Sequence, residues 1–243
     1  MICFRVVALL TAALAAWAAD FHLDLPAVRS TFEIAGQPVA IAVSGRVAAR
    51  GDAAAVTLDA DLAGLQEKIL PILRAQLDQD NRCGDRLSIE QATLSPEAPS
   101  ALLKAMVHYE KFACAKAFGK EIVKRLVGGN AMVRARLTAV VDAPAAVRLD
   151  AKVLPIEADG QLGEILRSGQ FGAALSEKIR KTLQSDLEKS AALHGALPPA
   201  VQSVAALRSA AFRDGGGRLV LSVSGDLQAT VEQVAGMVKD VRQ

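Results

Sequence analysis

Histidine is scarce in this chain of 243 residues, with only three in all. His22, His108 and His194 are scattered, and no HxH, HExxH or Cys–His spacing gives a metal ion a place to bind. The motifs of phosphate and acyl-transfer chemistry are missing too: there is no P-loop, no dinucleotide glycine fingerprint and no GxSxG elbow. Gly215-Gly216-Gly217 reads as a hairpin turn, because strands flank it on both sides. Neighbouring acids such as Asp186 and Glu188 fall on a solvated helix face. The expectation is a protein that is not an enzyme and carries no cofactor. Charge of either sign is never concentrated: 28 Lys and Arg face 26 Asp and Glu, for a net +2. The two signs are interleaved, so there is no basic block of the kind that binds nucleic acid. Aromatics make up 4% of the residues. The alanine-rich remainder is compatible with a bacterial periplasmic protein.

What is present begins at the N-terminus. Met1 to Arg5 carries one positive charge, an apolar run follows from Val6 to Ala16, and Ala16-Trp17-Ala18 is a small-x-small cleavage site. That order is the pattern of a secretory signal peptide over residues 1–19, with the mature chain starting near Asp20. The rival reading is a membrane anchor, but that apolar run falls short of the ~20 residues that a spanning helix needs. Cys3 precedes the apolar run, which is the wrong place for a lipid-modified mature N-terminus. The protein is therefore expected to be exported and soluble, periplasmic first and fully secreted as the alternative.

Removal of that segment leaves two cysteines, Cys83 and Cys114. In an oxidising compartment such a pair predicts a disulfide. Residues 86–94 alternate as a strand with a shift near its middle, Ser95 to Pro99 is turn material, and residues 101–112 alternate again. Folding this hairpin about Glu97 and Ala98 brings Cys83 close to Cys114. A closed loop of about 32 residues predicts roughly 3–4 kcal/mol of stabilisation.

The rest reads as two similar halves, 20–127 and 128–243, fused into one continuous domain. Ala54 to Ala60 and Ala145 to Ala151 differ at one position, Thr57 against Arg148. Each copy sits in the order strand, strand, helix, strand, strand. In the first half Asp61 caps a helix carrying Leu65, Ile69, Leu73 and Leu77, which Pro71 should kink or restart. In the second, a short helix after Asp159 precedes a longer one at 171–193, and a last hairpin turns at Asp214 to Gly217. A short helix at 115–127, ended by Gly128-Gly129, is expected between the halves, and another at 230–241. On the long helix Phe171, Leu175, Ile179, Leu183, Leu187 and Ala191 recur every four residues. Each step overshoots a turn by roughly 40°, so the stripe winds round the helix as it would against a curled sheet. One reading makes that stripe plain core; the other has part of it line a cavity. On the 115–127 helix Lys116, Lys120 and Lys124, with Arg125 beside them, form one face; Phe118, Ile122 and Leu126 form another. That face is either a solvated stripe or a contact for an anionic membrane surface.

The expected fold class is thus α+β: two such units forming a curled antiparallel sheet wrapped around long amphipathic helices. Two tandem antiparallel units, each holding a wrapped helix, resemble the tubular lipid-binding superfamily. Leu197-Pro198-Pro199 followed by a strand, a glycine turn and Leu219 to Gly225 is the local echo. The resemblance implies acyl chains enclosed between sheet and helix, with no fixed catalytic or binding residues to carry over. On this reading the protein binds or carries a lipid or other hydrophobic ligand in the cell envelope. Leu65, Ile69, Leu73, Phe171, Leu175, Ile179 and Leu183 would line the ligand, and Lys116, Lys120, Lys124 and Arg125 would face a membrane. The alternative is a scaffold module with a solid core and a protein or membrane-surface partner.

Overall fold

The computed structural model describes residues 21–50, 53–117, 120–142, 146–158, 160–167 and 205–227, with residues 173 and 177 as isolated helical positions. The expected signal peptide, the long helix at 171–193 and the terminal helix at 230–241 lie outside the described residues, those two helical positions excepted.

Two antiparallel sheets form a half-barrel. The first has the order β1 (Phe21–Ile34), β2 (Gln37–Arg50), β3 (Ala53–Asp61), β11 (Leu219–Leu227), β10 (Ala205–Asp214). The second has the order β4 (Gln79–Asp80), β5 (Gly84–Glu97), β6 (Ser100–Ala117), β7 (Lys120–Asp142), β8 (Ala146–Val153), with β9 (Glu157–Ala158) also pairing to β7. The helices among the described residues are α1 (Ala63–Leu77) and the short α2 (Gly160–Arg167). This corrects the expected α+β class: the described chain is mostly strand, and its helices are short.

The physical reason is periodicity. Residues spaced by four share a face in a helix and also in a strand, because four is a multiple of the strand period of two. Residues 115–127 show the ambiguity directly. The spacing of their lysines predicts a helix, yet residues 115–117 and 120–127 are strand, in β6 and β7, with Lys116 opposite Glu121 and Ala113 opposite Lys124. Gly128-Gly129 does not end a helix but lies within β7, so the expected boundary between halves falls inside a strand. Gly129 faces α2, whose Leu162 is fully buried. Pro71 does not restart α1, which runs through it as one segment. Strand β1 was not anticipated, though Phe21, Leu23 and Leu25 alternate and then shift register before Val28.

The two copies of the repeated segment take different places. β3 is central, paired with β2 and β11, whereas β8 pairs with β7 alone among the described residues. Their one difference matches this. Thr57 sits between two strands, while Arg148 stands on the edge, where it pairs with Asp142 (3.0 Å) and with Asp150. Charge on an edge strand opposes unwanted pairing.

α1 holds the two sheets together. Asp61, the last residue of β3, accepts a hydrogen bond from the Ala63 N–H (2.9 Å) at the helix start and an ion pair from Arg218 (2.6 Å). Gln66 donates to the Leu94 carbonyl in β5 (2.9 Å) and accepts from the Leu219 N–H in β11 (2.7 Å), so one side chain joins both sheets. Away from the helix, the Phe212 N–H in β10 donates to the Pro99 carbonyl at the β5–β6 turn (2.9 Å). Val39 and Ile41 of β2 and Leu219 and Leu221 of β11 share one core with Ile89, Leu103 and Val107 of the second sheet. A smaller cluster of Val47, Ala54 and Val56 lies further along the first sheet.

The approach of α1 to β2 needs a glycine. A Cβ on Gly64 would stand 2.3 Å from the Ala40 carbonyl oxygen, a backbone atom that cannot swing aside. Helix propensity alone favours Gly64→Ala by about 1 kcal/mol. The expected outcome is the opposite sign: a loss of roughly 1–3 kcal/mol from overpacking, read as a lower midpoint in urea unfolding.

Candidate functional site

The concave face of the second sheet follows from strict alternation. Leu87 and Ile89 on β5, Leu103, Ala105 and Val107 on β6, and Val133 and Ala135 on β7 all point inward and are buried. Glu90 is the extra residue at a bulge, between the pairs Ile89–Val107 and Gln91–Met106, and accounts for the shift visible in the sequence. Over this face lies α1, which presents Leu73 and Leu77. Between helix and sheet is a cavity of about 20 Å³ lined by these nine residues, all aliphatic. It exists because Ala105 and Ala135 stand in rows otherwise filled by leucine and valine: Ala105 opposite Val133, Ala135 opposite Leu103. The volume suffices for about one water molecule, but such a site offers water no polar partner and stays dry.

The helix is fastened along the outer edge of β5 by its own side chains. β4 covers that edge only opposite Leu87 and Arg86. Beyond it the Ile89 N–H donates to Asp78 Oδ1 (2.7 Å), and Arg74 donates to the carbonyls of Ile89 (2.8 Å) and Glu90 (3.2 Å). The C-terminal end of α1 thus replaces a missing strand.

Polar groups collect at the end of the concave face nearest the disulfide. Tyr109 is buried and its hydroxyl donates to Asp85 Oδ1 (2.7 Å); Lys111 Nζ lies 3.8 Å from the same carboxylate. Burial, followed by the hydrogen bond to Asp85 and the charge on it, pushes the Tyr109 phenol well above its ordinary value of 10.0. On the opposite, convex face Arg125 meets the half-buried Glu110 (3.2 Å), and two other ion pairs are largely solvated: Arg136 with Glu97 (3.0 Å) and Arg86 with Asp80 (2.8 Å). Pairs of this kind contribute little to stability. His108 sits opposite Ser88 there, but its Nδ1 meets Asn130 Oδ1 (2.6 Å) and its Nε2 faces Glu110 (3.7 Å), which leaves neither ring nitrogen for the serine.

Of the residues expected to line a ligand, Leu73 borders the cavity. Ile69 is buried in the same core and Leu65 packs against it, both away from the cavity. Phe171, Leu175, Ile179 and Leu183 lie outside the described residues. The sheet residues that supply the rest of the lining were legible as one face of a strand, but nothing in one strand shows which helix covers it. The expected lysine stripe is divided: the register puts Lys116 on one face of the β6–β7 hairpin and Lys124 on the other, with Lys120 opposite Ala117. Arg125 turns back to Glu110. Cys83 and Cys114 are joined, with Cα atoms 5.7 Å apart. Glu121 lies beside them and forms with them a metal-like trio, but the bridge consumes both sulfurs.

Tyr109 is the only tyrosine of the chain, so its titration can be read alone. The folded state holds the phenol protonated, and the unfolded chain releases that proton first as pH rises past 10.0. This contribution to stability is complete below that value and is lost above it. Phenolate absorbance is expected to appear together with loss of the circular dichroism of the strands, and Tyr109→Phe should flatten the pH dependence of stability above 10.0. A phenol that ionises at its ordinary value in the folded protein would contradict this assignment.

No protein-family model, curated protein or solved structure matches this chain.

Proposed function

We propose that the protein is an exported, non-catalytic binder of a hydrophobic ligand in the cell envelope, and that the ligand lies between α1 and the concave face of the second sheet. The observation that carries this reading is the cavity under Leu73 and Leu77, walled by aliphatic side chains alone. Export is supported by the signal-like N-terminus and is compatible with the Cys83–Cys114 bridge, since disulfides persist in oxidising compartments. Among the described residues no helix is long and apolar enough to cross a membrane. The purely aliphatic lining makes an acyl chain the first ligand to try.

At about 20 Å³ the cavity admits a small apolar group and no extended chain. A longer ligand therefore requires α1 to lift from β5, against the hydrogen bonds of Gln66, Arg74 and Asp78. The same small volume favours a second reading, an envelope module with a solid core that acts through its surface.

The two readings separate in one experiment. A fluorescent fatty acid is titrated into the mature protein, alongside native mass spectrometry of gently purified material. The ligand reading expects saturable uptake that weakens at least tenfold in Ala105→Val, which fills the cavity while circular dichroism confirms the fold. Material free of lipid that takes up no probe would sink the ligand reading and leave the surface one.

A further inference from the structure

The β6–β7 hairpin runs past the rest of the second sheet. β5 makes its last pair with β6 at Gly84 and Phe112, whereas β6 and β7 continue to pair as far as Ala117 and Lys120. At about 3.4 Å per residue these extra pairs extend on the order of 17 Å. Among the described residues neither edge of this ribbon has a partner strand. The disulfide ties its root, joining Cys114 in β6 to Cys83 just ahead of β5.

The two faces of the ribbon differ. Cys114, Lys116, Glu121, Val123 and Arg125 share the convex one, and its single acid, Glu121, meets Arg82 (3.5 Å). The other continues the concave face of the sheet outward, beyond Tyr109 and Lys111. It carries Ala113 and Ala115 opposite Lys124 and Ile122, and Leu126 stands next to them as the extra residue of a bulge. Ile122 is 55% exposed and Leu126 54%, two of only three large aliphatic side chains left so open among the described residues. Lys124 is exposed beside them, and no acid occupies this face. Over residues 111–127 the sequence has Lys111, Lys116, Lys120, Lys124 and Arg125 against Glu121 alone, in a chain whose whole net charge is +2.

We propose that this ribbon is a membrane-docking element, and that it lays Ile122 and Leu126 into the interface of an anionic phospholipid bilayer with Lys124 at the phosphate level. Exposed aliphatic side chains flanked by lysine, with the acid turned to the far face, are complementary to that surface in both polarity and charge. Lysine suits the position because its stem lies along apolar surface while its ammonium stays in water. The proposal stands on the ribbon alone and holds whether or not the cavity under α1 takes a ligand.

Flotation of the mature protein with vesicles tests it, using pure phosphatidylcholine against equal parts phosphatidylcholine and phosphatidylglycerol. Binding is expected to the anionic vesicles, to weaken with salt, and to fall by roughly tenfold or more in Ile122→Ser/Leu126→Ser and again in Lys124→Glu. Val28→Ser, which removes the third exposed aliphatic side chain (53%), should bind as the parent does, and so should Ala105→Val. Unchanged thermal unfolding shows that the ribbon variants stay folded. Absence of binding to either vesicle, equal binding to both, or full binding by the folded ribbon variants would each overturn the proposal. A dimer in size-exclusion chromatography that the ribbon variants abolish, without vesicle binding, would assign the surface to a second copy of the chain instead.

Discussion

The bond between α1 and the outer edge of β5 is the constraint on which the architecture turns. β4 pairs with β5 at two positions and then stops. An edge strand left there would present unpaired backbone groups, and a buried one left unsatisfied costs about 1–3 kcal/mol. Arg74, Asp78 and Gln66 satisfy the edge at Ile89, Glu90 and Leu94. In doing so they set the height of the helix above the sheet. Gln66 also reaches Leu219, and the Ala63 N–H at the helix start donates to Asp61 of β3, so the same helix fixes where the first sheet lies. Gly64 lets that contact close to backbone distance.

The cavity is a consequence of that fixed height. A helix held by polar bonds along one edge cannot settle further onto the sheet to close gaps. Where Ala105 and Ala135 replace longer side chains, the space stays open, because interiors relax only partly round a missing group. The bulge at Glu90 resets which residues of β5 face inward. The β6–β7 ribbon has no such cover. Its strands run on by pairing with each other, with the disulfide at their root, and their apolar side chains stay exposed. A packed cleft and an open ribbon are thus two stretches of one continuous face.

The sequence was most legible where a pattern admits one geometry. Period-two alternation in residues 86–94 and 101–112, with turn residues between, could only be a hairpin, and the spacing of Cys83 and Cys114 agreed with its register. Asp61 before a run of helix formers marked the start of α1. The reading failed where spacing was even. Lys116, Lys120 and Lys124 suit a helix face as well as strand positions, and local sequence cannot choose between them. It failed again with the repeat, since nothing in Ala54 to Ala60 or Ala145 to Ala151 says which copy will find strands on both sides.

By itself, then, the sequence determined which stretches alternate, which residues turn the chain, and which cysteines can meet. These are properties of a few neighbouring residues and the backbone geometry they allow. Tertiary structure alone decided that β3 would pair with β11 from the far end of the chain, that Leu73 and Leu77 would roof the face made by β5, β6 and β7, and that Ile122 and Leu126 would be left outside. The physical reason is that pairing across such distances rests on the summed burial of many side chains and on the satisfaction of β5's edge, and no local window contains both partners.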